Sequence, residues 1–241
     1  MLTRYLPVFI LLSLIAEILG TVGGFGSSVF FVPVANFYLD FQSVLGVTAL
    51  FHLSSNLSKI AFFKKGLNKR LLLTLGIPAV LFVSAGAFLS KYIDPKFLSF
   101  TLSIFLIILS LLFLIFKKIV IQASARNAII GGSLSGLSAG ILGTGGAIRG
   151  ITMAAFNLNK NAFIATSAVI DLMVDLSRTV IYYYNGYIHK HDLYLIPILI
   201  VVAILGTWIG KKILGNMSQD QFKKIVLLLI LGIGIVSLFS E

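Results

Sequence analysis

Hydrophobic residues fill this chain in long blocks separated by short polar patches. The apolar runs near residues 44–63, 71–90, 97–116, 162–184, 193–210 and 225–239 approach the length a helix needs to cross a bilayer. The ten-residue alternation of a membrane barrel is absent, so the runs predict helices whose backbone bonds close within each segment. Two further regions are built differently. Segment I, Leu6 to Leu39, and segment V, Asn127 to Leu158, would each extend about 50 Å as one helix, against a hydrocarbon core of roughly 30 Å. Glycines interrupt both, at Gly20-Thr-Val-Gly-Gly-Phe-Gly26 and Gly143-Thr-Gly-Gly146. Glycine tolerates positive φ and weakens helices. The pattern predicts half-span pieces of about 16 and 12 residues, broken or re-entrant near mid-membrane.

Polar positions inside the runs occur in duplicate. Residues 47–59 read Val-Thr-Ala-Leu-Phe-His-Leu-Ser-Ser-Asn-Leu-Ser-Lys, and residues 166–178 read Thr-Ser-Ala-Val-Ile-Asp-Leu-Met-Val-Asp-Leu-Ser-Arg. An offset of 119 residues pairs His52 with Asp171, Asn56 with Asp175 and Lys59 with Arg178. It also pairs Ala35, Phe37 and Leu39 with Ala154, Phe156 and Leu158, and Pro78 with Pro197. These matches predict an all-α polytopic membrane protein of two four-segment repeats, residues 1–119 and 120–241, within one membrane domain. The basic linker Lys117–Arg126 reads as a loop of the bundle.

Composition agrees: 58% of the 241 residues are hydrophobic and only 11% charged, far from a soluble domain. The net charge of +11 would suggest nucleic acid in a soluble protein, but the basic residues cluster at the ends of apolar runs, where they set topology. If segments I and V cross fully, the loop Lys and Arg divide nine to seven. If both are re-entrant, they divide twelve to four, with Arg4, Lys91, Lys96 and Lys190 in the minority. The positive-inside rule prefers the second division, which also makes the repeats inverted, a transporter symmetry. Cysteine is absent, which excludes disulfides and thiolate chemistry. Met1 to Glu17 reads as a retained membrane segment, and no lipidation motif is visible.

On a helix, His52, Asn56 and Lys59 share one face, and Asp171, Asp175 and Arg178 share another. Ionisable groups are costly in such runs, so a doubled set suggests function. One reading is internal neutralisation, with Asp175 paired to Arg178 and Lys59 snorkelling to the interface. The other is a small-oxyanion site. There Lys59, Arg178 and Arg149 attract the anion, with Thr21, Ser27, Thr48, Asn56, Thr144 and Ser167 as donors. His52, Asp171 and Asp175 then act as groups that carry a coupling proton. The glycine breaks serve the second reading, since helix starts near Gly24, Gly26, Gly145 and Gly146 would aim backbone N–H groups at an anion. Arg149 needs an anionic partner, either Asp171 or the substrate. Gly132, Gly136 and Gly140, with Gly206 and Gly210, read as helix-packing motifs. Enzyme signals are weak: Gly136-Leu-Ser-Ala-Gly140 matches a nucleophile elbow but lies in a helix, leaving a Ser138–His52 hydrolase remote. His189 and His191 lack a third metal ligand. No cofactor motif is present.

The assembled pattern resembles the sulfite exporter TauE/SafE family, over nearly the whole chain. The residues carrying it are Gly20–Gly26 followed by Phe31-Val-Pro33, then Gly136, Gly140, Gly143, Gly145 and Gly146, then Ala165-Thr-Ser167, Arg178 and Tyr182–Gly186. The resemblance implies a bacterial or archaeal inner-membrane carrier of sulfite, organosulfonates or related anions, coupled to an ion gradient, with protons the expected ion. A passive anion channel of the same architecture stays open, as does a homodimer. Ala147-Ile-Arg149 departs from the family's third glycine and apolar position, which fits a more strongly anion-selective site.

Overall fold

The computed structural model of the chain describes residues 2–24, 26–63, 66–115, 121–214 and 235. Most of the run 225–239, and Lys64, Lys65, Lys117, Lys118, Lys223 and Lys224, lie outside them. Among the described residues there is no strand. The α-helices among the described residues are, in order, α1 (Leu2–Gly23), α2 (Ser28–Asn36), α3 (Phe41–Phe62), α4 (Lys69–Leu71), α5 (Ile77–Leu89), α6 (Pro95–Ile115), α7 (Ala125–Leu142), α8 (Gly146–Ala154), α9 (Lys160–Asn185) and α10 (Leu195–Leu214). Tyr5–Gly23, Lys69–Tyr92, Pro95–Leu112 and Leu195–Leu214 are long and apolar enough to cross a membrane. α3 and α9 are as long, at 22 and 26 residues, but their polar stripes make them less apolar.

Local chemistry sets the ends. The Asp40, Ser124 and Asn159 side chains accept the Ser43, Asn127 and Ala162 N–H groups at 3.0, 3.2 and 2.9 Å, capping α3, α7 and α9. α9 stops at Gly186 in the left-handed region (φ 82°). A π turn over Leu72–Gly76 joins α4 to α5, where Pro78 offers no N–H to the Thr74 carbonyl.

After α1, Gly24 and Gly26 take φ of 73° and 91°, and the chain doubles back. Ser27 returns against Gly20, and the Phe9 ring meets Phe31 and Tyr38 at 5.9 and 5.4 Å, so α2 runs antiparallel to α1. After α7, Gly143 takes φ 75°. Ser135 Oγ then donates to the Gly145 carbonyl at 2.8 Å, and Thr152 lies on Gly131, so α8 likewise returns along α7. The pieces are 22 and 9 residues, then 18 and 9, in place of the expected 16 and 12. Glycine permits a break without forcing one. Gly20 and Gly23 stay helical, and Gly20 leaves room for the Ser27 backbone. α1 and α7, about 33 and 27 Å long, therefore reach the length of a full crossing, and only α2 and α8 are half-length.

Glycine seams join the long helices. Gly132, Gly136 and Gly140 of α7 lie on the backbone at Leu75, Ala79 and Val83, and Gly206 and Gly210 of α10 lie on Glu17 and Thr21 of α1. Contacts advance in the same sense along both partners, so α7 runs parallel to α5, and α10 to α1. A Cβ on Gly136 would overlap the Ala79 carbonyl. Gly136→Leu is therefore expected to cost about 3 kcal/mol or more, read as a lowered melting temperature in detergent. An unchanged melting temperature would contradict this packing.

The outer faces are apolar: Leu73, Ile77 and Leu81, Phe97 and Ile108, and Val201 and Leu205 are exposed, while Ser13, Glu17, Thr21, Ser103, Ser110 and Thr207 are buried. That inverts the soluble pattern and suits lipid as the surrounding solvent. Lys211 Nζ donates to the Phe62 carbonyl at 2.8 Å and Lys160 Nζ to the Leu214 carbonyl at 3.4 Å. These bonds bring the ends of α3 and α10 and the start of α9 to one end of the bundle. Lys69, Arg70 and Arg126 belong to that end. Lys91, Lys96 and Lys190 belong to the other, where Asn185 Nδ2 donates to the Ala87 carbonyl at 2.8 Å.

Candidate functional site

α3 and α9 pack together at the centre and turn their polar stripes on each other. Asn56 Nδ2 donates to Asp175 Oδ2 at 2.7 Å, and His52 Nδ1 lies 3.9 Å from the same oxygen. Arg178, one turn along α9, holds Asp175 Oδ1 through Nε and Nη2, both at 2.7 Å. Its Nη1 donates to the Gly143 and Ala139 carbonyls at 2.8 and 3.2 Å, and Tyr182 Oη donates to the Gly140 carbonyl at 2.7 Å. Those carbonyls end α7, where a cation is favourable. All three Arg178 nitrogens thus engage protein groups, and Arg178 braces the turn into α8.

Arg149 stands on α8 with 2% of its surface exposed. Its Nε donates to Ser167 Oγ at 3.1 Å, and both Nη atoms meet the Asp171 carboxylate on α9. Of the two partners the sequence allowed for Arg149, this is the protein carboxylate. Gly26 passes beside the pair, since a Cβ there would sit 3.6 Å from Arg149 Nη2 and from Asp171 Oδ2.

Lys59 does not snorkel outward. It is 4% exposed and pairs with Glu17 of α1 at 2.9 Å, while donating to Ser55 Oγ at 2.6 Å. Glu17 is fully buried and also accepts from Ser27 at 2.6 Å, Ser55 at 2.7 Å, Thr207 at 3.0 Å and Thr21 at 3.2 Å. Sequence reasoning passed over it as a site residue, together with Ser55 and Thr207. The signal was present, because Glu17 is the only acid among the first 39 residues and lies inside an apolar run.

The remaining candidates distribute around these pairs. Ser27 Oγ, besides its bond to Glu17, lies 3.1 Å from His52 Nε2. Thr144 Oγ1 donates to Ser28 Oγ at 3.2 Å, so the starts of α2 and α8 meet. Gly146 opens α8 and is buried, with Gly145 packed on Ser135. Gly24 faces the Phe163 ring. Thr48 is buried, and its hydroxyl has no hydrogen-bond partner among the described residues. Thr21, Gly24, Gly26, Lys59, Ser167 and Asp171 surround a cavity of about 10 Å³, room for about one water.

Three buried cations each sit on their own carboxylate here, Glu17 and Asp175 buried and Asp171 partly so. Removing one member of such a pair strands its partner in low dielectric.

Ser138 is not joined to His52: it donates to the Ser135 carbonyl at 3.2 Å, and His52 faces Ser27 and Asp175. At the loop, Asp192 supplies the third group beside His189 and His191, their candidate ligand atoms within 4.8 Å of one another. The two histidine rings lie stacked at 5.2 Å, however, and His189 Nδ1 is 2.7 Å from Ser43 Oγ.

No curated protein and no solved structure matches the chain. The family profile described as Sulfite exporter TauE/SafE matches residues 9–237.

Proposed function

The chain belongs to the sulfite exporter TauE/SafE family, and from that premise we propose that it is a secondary transporter of small sulfur oxyanions, sulfite or an organosulfonate. The family and the apolar helices make it an integral membrane protein of a transport family. The finer reading is ours. Two inverted halves, each opened by a re-entrant hairpin, alternate access to one central site in a bacterial or archaeal inner membrane. The end carrying Lys69, Arg70, Arg126, Lys160, Lys211 and Lys212 faces the cytoplasm, by the positive-inside rule.

One observation carries the reading: the cavity at the first turn is bordered by both Lys59 and Asp171, the latter paired with Arg149. Lys59 and Arg149 attract the anion, and Thr21, Ser27, Ser167 and the amides near Gly24 and Gly26 bind its oxygens. Thr144, Gly145 and Gly146 contribute through the adjoining α8 start, and Thr48 supplies a spare hydroxyl. Asn56 and Arg178 position Asp175. His52, Asp171 and Asp175 carry coupling protons. A cavity of about 10 Å³, room for about one water, favours a carrier over an open pore. Labelled-sulfite flux in proteoliposomes tests this: uptake that responds to an imposed pH gradient is expected, and no pH-sensitive uptake of any sulfur oxyanion would defeat it.

A further inference from the structure

We propose that Glu17 is the protein's own occupant of the anion site, and that it takes up the proton that accompanies the substrate. The proposal rests on the anion-transport reading above and adds to it a residue and a stoichiometry.

Glu17 has the surroundings of a bound oxyanion. Four hydroxyls, from Thr21, Ser27, Ser55 and Thr207, and the Lys59 ammonium converge on its two oxygens, and no part of it is exposed. These donors come from α1, the turn after it, α3 and α10. A purely structural ion pair has no need of four extra donors from four parts of the chain. Two of the same donors, Thr21 and Lys59, also border the cavity. An anion entering there meets Lys59, the cation that Glu17 already holds.

Both negative charges cannot share one ammonium in a water-poor interior, because like charges a few ångströms apart are strongly unfavourable there. The conflict is removed if a proton joins Glu17 as the anion joins Lys59. One singly charged anion, hydrogensulfite or a sulfonate, and one proton enter, the ammonium keeps one counter-charge, and the charge of the whole set is unchanged.

A route for that proton exists. Ser27 Oγ lies 2.6 Å from Glu17 Oε2 and 3.1 Å from His52 Nε2, and His52 Nδ1 lies 3.9 Å from Asp175. A protonated His52 passes its Nε2 proton to Ser27 Oγ while the Ser27 proton passes to Glu17 Oε2. The imidazole is left neutral, the hydroxyl is restored and Glu17 becomes a carboxylic acid. Among the described residues, the ionisable groups facing Glu17 are Lys59 and, through Ser27, His52, both on α3, with Asp171 of α9 across the cavity. α10 presents only Thr207.

The test measures sulfite binding and proton uptake together, on purified full-length protein in weakly buffered detergent with a pH indicator, and then sulfite accumulation in proteoliposomes. At a pH where hydrogensulfite predominates, the wild type should take up about one proton per anion bound and accumulate it about tenfold per unit of pH gradient. Glu17→Gln, a neutral mimic of the protonated acid, should still bind sulfite, take up no proton and show no gradient-driven accumulation. Proton uptake equal to wild type, or loss of sulfite binding in folded Glu17→Gln, would overturn the proposal. Ser27→Ala keeps it testable if Glu17→Gln does not fold. That variant should bind sulfite more weakly and, at a concentration that saturates it, take up its proton at least tenfold more slowly than wild type, and an unchanged rate at saturation would overturn the relay. A wild type that neither binds nor moves sulfite would instead remove the functional reading.

Discussion

Replacing Arg149 by alanine is expected to lower anion flux by about 100-fold or more while the protein still folds and inserts. The guanidinium supplies a buried positive charge beside the cavity, and nothing else on α8 can replace it. Losing one partner of a buried ion pair costs about 3–5 kcal/mol, and each 1.4 kcal/mol is about tenfold. Folding suffers less than flux, because the orphaned Asp171 borders the cavity, where water or a proton can reach it. The companion variant separates the roles. Arg149→Ala with Asp171→Asn should regain thermal stability and remain inactive, since charge balance returns but the attraction does not. Recovery of flux in the double variant would make the pair merely structural.

Arg178→Ala is expected to behave in the opposite way, as a folding lesion. It strands Asp175 in a site 2% exposed and releases the Gly143 and Ala139 carbonyls. The loss should be about 3–5 kcal/mol, read as reduced yield and a sharply lowered melting temperature. Arg178→Lys should rescue little, because one ammonium cannot span a carboxylate and two carbonyls as a planar fork does. A stable, monodisperse Arg178→Ala that merely binds sulfite weakly would return Arg178 to the substrate site.

Much of this was legible in the residues. Long apolar runs without alternation require helices, and the doubled stripes required two polar faces with a common partner. The bond between Asn56 and Asp175 joins two residues paired by that doubling. Where sequence reasoning stopped short, the causes are physical. Helix continuity at Gly20 and Gly23 depends on the Ser27 backbone folding over Gly20, a contact that no local propensity reveals. The length of α1 was therefore underestimated. Glu17 escaped a search for doubled residues because the recurrence of Ile18-Leu-Gly-Thr21 as Ile141-Leu-Gly-Thr144 sets it opposite Gly140. The same alignment hid the destination of Lys59, which without Glu17 had only the interface to seek. Likewise Arg178 offers an attractive free cation until its bonds to Gly143 and Ala139, far away in sequence, occupy it.

The glycine seams carry one more consequence. α1 is fastened to α10 and α7 to α5, so each opening hairpin is clasped by a helix from the other half of the chain. In the alternating-access cycle proposed above, the bodies that tilt would thus be interlaced composites, and a hinge drawn at the midpoint of the polypeptide would cut across both. Severed there, each fragment would carry a bare backbone groove whose matching ridge had left with its sibling.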